Sequence, residues 1–173
     1  MSGESVVRRN ARVFGNAIVG ENAEISGEAK VYGQAIIRHR AHVYGDAEVY
    51  ENAKVSGNVR VLGRVKVRGM SLVTDDATVR DEVIVESLAI VGGFSELSGN
   101  MRATKKTLNL VGLIYKVTFS DEHIKVGCEV RTIEGWLALS ESELYGMHYA
   151  AHSFYHKYNN ILLELANLHQ NNS

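Results

Sequence analysis

The chain has 173 residues, enough for one domain with a sizeable core. Nineteen Lys/Arg against twenty Asp/Glu leave a formal charge of −1, so no global field draws it to a long nucleic acid or a membrane surface. The single Cys128 excludes an intrachain disulfide and suits a reducing compartment. No apolar run reaches the length of a membrane span, and the N-terminus lacks a secretory apolar region, so a soluble cytoplasmic protein is expected.

In chain order, residues 1–4 read as a frayed start. From Ser5 to Asn100 the sequence falls into sixteen consecutive hexads without a gap, from SVVRRN and ARVFGN to SELSGN. The third position is Val, Ile or Leu sixteen times out of sixteen, from Val7 to Leu97. The first is Ala in ten, and the fifth is Gly in nine. Alternate residues of a strand face opposite ways, so positions one and three form an uncharged inner side. Positions two and four carry most of the Arg, Lys, Glu and Tyr outward. Position five supplies a corner, where Gly tolerates φ values other residues avoid, and Asn or Asp often follows. A four-residue strand with a two-residue corner cannot pair with itself and must stack on the coil above. The absence of Pro suits that ladder.

The spacing of an aliphatic residue and a small residue four later (Val13 and Ala17, Val31 and Ala35, Val43 and Ala47) resembles the hexapeptide-repeat proteins. The resemblance implies a mainly β fold, a left-handed parallel β-helix in which three hexads close one triangular coil. The general handedness rule for parallel crossovers would give the opposite hand. Phe14, Tyr32, Tyr44 and Tyr50 stand where that family often has Gly, and Gly comes one later. That variant is similar to the solenoid proteins of bacteriophages and prophages, and the expected setting is the cytoplasm of a bacterial host. Sixteen hexads give just over five coils, about 25 Å long at a strand spacing of ~4.8 Å.

Residues eighteen apart then stack, and three outer faces follow. One carries Ile18, Ile36, Lys54, Leu72 and Ile90, an exposed apolar column that needs either the chain's own C-terminal helices or another subunit. The resemblance implies a homotrimer, which makes Ile18, Ile36, Leu72 and Ile90 the expected interface. A second face stacks Phe14, Tyr32 and Tyr50 above Arg68, beside Arg12, Lys30 and Lys66. Such a ladder either stabilises the sheet or forms a groove in which rings accept a base and cations accept phosphate. The third face holds His42, Tyr44, Arg60, Leu62 and Arg80. In a trimer both polar faces line clefts between subunits. Residues 1–70 hold eleven Lys/Arg and seven Asp/Glu, and residues 71–100 one and six, so one end is basic and the other acidic.

After Asn100 the sixfold register is lost, giving a β-helix over 1–100, capping strands over 101–131 and a helical segment over 132–173. Thr107 to Phe119 and His123 to Arg131 are expected as a hairpin around Ser120-Asp121-Glu122, closing the solenoid's edge. Thr132 is an expected N-cap without a capping box, because Gly135 stands three later. Ser140 to Gly146 is a link or a second short helix. Tyr149 to His169 is one amphipathic helix with Tyr158, Ile161, Leu162, Leu165 and Leu168 as its apolar stripe. Gly127-Cys128 followed by Thr132-Ile133-Glu134 and a Leu-rich helix resembles the tail of the phage solenoids.

Chemistry is sparse. Acyltransferases of the hexapeptide family use a His base beside a protruding loop; His39 and His42 match no such motif, and no insertion interrupts the hexads. Their spacing does not reproduce the three zinc ligands of the carbonic anhydrases on this fold. His148, His152 and His156 share one helical face, a spacing that can hold a metal, but no helical carboxylate stands among them, so packing on a neighbour is expected and neither metal nor cofactor is assigned. Cys128 is expected as a small core residue. The expected function is a non-enzymatic trimeric binding protein that holds a small anionic, nucleotide-like ligand or a host protein, with a counter-defence role. The alternatives are an acyl-coenzyme A dependent acyltransferase with His42 as base, and a structural assembly module.

Overall fold

Small and branched side chains at positions one and three, each flanked by polar residues, favour strands with one dry side. In the computed structural model, which describes residues 4–147 and 150–171, they build a parallel β-solenoid of about five coils. The first face stacks Val6–Val7, Glu24–Ile25, His42–Gly45, Arg60–Gly63, Thr78–Val79 and Glu96–Leu97. The second runs from Arg12–Val13 to Arg102–Ala103, and the third from Ile18–Val19 to Ile90–Val91. Register is eighteen throughout, as in Val13↔Val31 and Ile18↔Ile36. Backbone bonds therefore run between coils, such as Lys30 N to Ala47 O at 2.8 Å and Lys54 N to Ser71 O at 2.9 Å. From Ala23 to Ala103 the inner hydrophobics are 0% exposed. In the first coil, Val7 is 47% exposed and Val13 and Val19 are half-buried, because no coil lies above them among the described residues.

All sixteen fifth positions, from Arg9 to Gly99, have positive φ. Coils approach closely there: a Cβ on Gly57 would lie 2.6 Å from the Asp75 carbonyl oxygen. Where the corner is an acid, its side chain repays the strained backbone with a hydrogen bond one coil on. The amides of His39, Gly69, Gly93 and Gly99 donate to Glu21, Glu51, Asp75 and Asp81 at 2.7–3.1 Å.

The last coil is closed by a four-stranded antiparallel sheet: Leu108–Leu110, Val117–Phe119, His123–Val126 and Glu129–Thr132. Its residues take up solenoid backbone groups that would otherwise lie at an open edge. Thr107 N donates to Ile90 O at 2.9 Å, and Glu96 N donates to Thr118 Oγ1 at 3.1 Å. The expected turn at Ser120–Glu122 is present, but each expected strand is two. Residues 111–116 interrupt the first, and Gly127, at φ 58°, turns the second. That turn leaves Cys128 exposed, so it is not the small core residue expected.

Helix α1 (Ile133–Leu137) begins at Thr132, which accepts from Gly135 N at 2.9 Å. Helix α2 (Glu141–Gly146) begins at Ser140, in a capping box with Glu143. Helix α3 spans Ala151–Asn171. Together they bury Trp136, Leu144, Phe154, Leu162 and Ala166 against Val117, Phe119, Ile124 and Val126, a second core. The buried stripe of α3 is rotated from the expected one. Leu162 is buried, but Ile161 and Leu168 are more than half exposed, while Phe154 and Ala166 face inward. No helix among the described residues is long and apolar enough to cross a membrane.

Candidate functional site

On the second face the rigid eighteen-residue register places like side chains one above another. Phe14 and Tyr32 stack with centroids 5.0 Å apart and planes within 2°, and Tyr32 and Tyr50 follow at 4.9 Å and 4°. The spacing matches the ~4.8 Å between strands, so the coils themselves set the stacking distance. Arg68 continues the column, with Nη1 3.4 Å from the Tyr50 hydroxyl and Nε donating to Glu86 Oε2 at 2.7 Å. Arg102 approaches the same Glu86 carboxylate from the next coil, and Glu86 is buried between them. The parallel column reads Arg12, Lys30, Glu48, Lys66, Ile84 and Arg102. Lys30 pairs with Glu48 at 3.0 Å. Five cations therefore face two carboxylates, and the surplus is positive. Burial first, then Glu48, Tyr50 and Glu51, push the Tyr32 phenol above its ordinary range, so it stays neutral.

The strand bearing Phe14 is the edge of its sheet, so Phe14 is the terminal ring of the stack and is 50% exposed. Arg12, two residues earlier on the same face, makes no ion pair among the described residues.

The other nominated set stands on the first face. His42 pairs in register with Arg60, and Tyr44 with Leu62. His42 Nδ1 lies 3.7 Å from Glu24 Oε2, and His39 Nε2 lies 3.3 Å from Glu21 Oε2 at a corner. The chain thus keeps His42, Tyr44 and Arg60 on a different face from the aromatic column.

On the third face Ile18, Ile36, Lys54, Leu72 and Ile90 fall in one line. Ile18 is 48% and Ile90 38% exposed. The described helices pack on the antiparallel sheet, and Ile18 and Ile90 at the two ends of the column remain exposed.

Sequence reasoning missed Glu141. Helix α2 carries its carboxylate to His152 and His156, which α3 presents at i and i+4. His148 lies outside the described residues. The signal was the Ser140 capping box, which starts a helix just before the histidines and brings a carboxylate from outside theirs. No protein-family model matches this chain, and no curated protein matches it either.

Proposed function

We propose that this chain is a non-enzymatic homotrimeric binding protein whose aromatic face takes a small, flat, anionic ligand of the nucleotide type in clefts between subunits. The observation that carries it is the coplanar Phe14–Tyr32–Tyr50 stack with an open terminal ring beside a cationic surplus. A base adds to such a stack as one more rung, since every base has a π-face. Arg12 and Lys66 supply charge for phosphate, whereas Lys30 and Arg68 are already neutralised by Glu48 and Glu86. The aliphatic strip of the third face joins the subunits. Between its aliphatic rows the fourth positions are mostly small, Gly20, Ser56, Thr74 and Gly92, which lets flat faces approach. In the bacteriophage setting that the sequence resemblance implies, capture of a host nucleotide signal serves counter-defence, and a host protein is the other occupant of the clefts.

Calorimetry against mono-, di- and cyclic nucleotides tests the ligand. Saturable binding is expected, weakened about fivefold or more in Phe14→Ala, as ~1–3 kcal/mol of stacking per base requires. No heat from any nucleotide at millimolar concentration overturns the small-ligand assignment.

A further inference from the structure

The junction of α2 and α3 gathers three metal-ligating groups that neither the solenoid nor its proposed ligand uses. Glu141 is the first residue of α2, and the reciprocal Ser140–Glu143 capping box fixes that helix start. Arg131 adds a contact to Glu143 at 3.4 Å. His152 and His156 lie one turn apart on α3, their ring centroids 4.4 Å from each other. His152 Nε2 is 2.8 Å from Glu141 Oε2, and His156 Nε2 is 3.1 Å from Oε1. The three ligand atoms all lie within 4.8 Å of one another. Both imidazoles therefore turn Nε2 toward one carboxylate, each to a different oxygen. Ligands of a tetrahedral ion at ~2.0–2.1 Å stand about 3.3 Å apart. The two nitrogen–oxygen separations need to open by only a few tenths of an ångström, and no pair of ligand atoms stands beyond 4.8 Å.

The surroundings hold the ligands in place. The Tyr145 ring stacks on His152 at 4.6 Å and 24°, and Tyr155 meets His156 edge-on at 5.7 Å. The cluster is open on one side: the Glu141 side chain is 61% and the His156 side chain 48% exposed. Three protein ligands with an open fourth position suit a water-bearing transition metal. Two imidazoles and one carboxylate disfavour Mg²⁺ and Ca²⁺, which take oxygen ligands.

We propose that Glu141, His152 and His156 form a zinc-class divalent metal site that bridges α2 and α3. The ion replaces the two imidazole–carboxylate hydrogen bonds with coordinate bonds and ties α2 to α3. Zinc titration by calorimetry at neutral pH, on the full-length protein first stripped with chelator, is the test. One ion per chain at micromolar affinity or tighter is expected, with a raised melting temperature and no response to Mg²⁺. Cobalt in place of zinc is expected to give the intense visible bands of a four-coordinate site. His156→Asn and Glu141→Gln each change an exposed side chain and are expected to keep the wild-type circular dichroism while weakening zinc binding at least tenfold. Absence of zinc binding by the wild-type chain overturns the assignment. So does unchanged affinity in both variants, which places any bound zinc on other histidines and leaves this cluster a hydrogen-bonded staple between helices.

Discussion

Position five of each hexad shows how much one backbone conformation dictates. Its αL geometry costs a non-glycine residue roughly 1–2 kcal/mol, yet seven of the sixteen corners are not glycine. Four of those seven are the acids that accept an amide from the coil beyond. Glu51→Ala keeps the αL cost and loses the bond from Gly69 N, so a drop of about 1 kcal/mol is expected. Glu51→Gly loses the bond but relieves the backbone and is expected to be nearly neutral. Urea unfolding midpoints of the two variants check the difference. At Gly57, with φ 99° and the Asp75 oxygen in the way, Ala is expected to cost more than either. The corners were legible in sequence because Gly marks nine of them. The acid caps were not, since eighteen-residue stacking places the corners one above another without showing that an acidic side chain turns to accept the next coil's amide.

Among elements, the solenoid strands were legible and the terminal helix only in part. A strand's inward side is fixed by alternation against a core that repeats, so Val13 or Ile37 could be placed from sequence. The α3 stripe depends on one partner sheet that no period announces, and Phe154 and Ala166 took the places expected of Ile161 and Leu168. Glu141 stayed hidden because it reaches the histidines from a neighbouring helix, across a break in the pattern. The same packing makes α3 sensitive to acid. Burial first, then nearby Lys105, hold the His169 imidazole below its ordinary 6.5, with Asp121 opposing. Phe119 faces the ring at 6.5 Å. Between the folded and unfolded pKa the unfolded chain binds more protons, so stability rises with pH there and falls on acidification below about 6.5. Urea midpoints are expected to fall between pH 7 and pH 5, and less steeply in His169→Gln.

For the whole molecule, the proposed trimer rests on a solenoid with two polar faces and one largely aliphatic one. Lys54 is the strip's charged rung, and in the proposed trimer its long stem would carry the ammonium out of the interface. Lys54→Leu is therefore expected to tighten association and slow dissociation on dilution. Light scattering coupled to size exclusion tests the assembly most directly. The wild-type chain is expected to elute as three times its 19.1 kDa mass, and Ile36→Glu, folded by circular dichroism, as a single chain. A wild-type protein of 19.1 kDa at every concentration, or an Ile36→Glu variant that remains trimeric, would contradict self-association through the aliphatic strip.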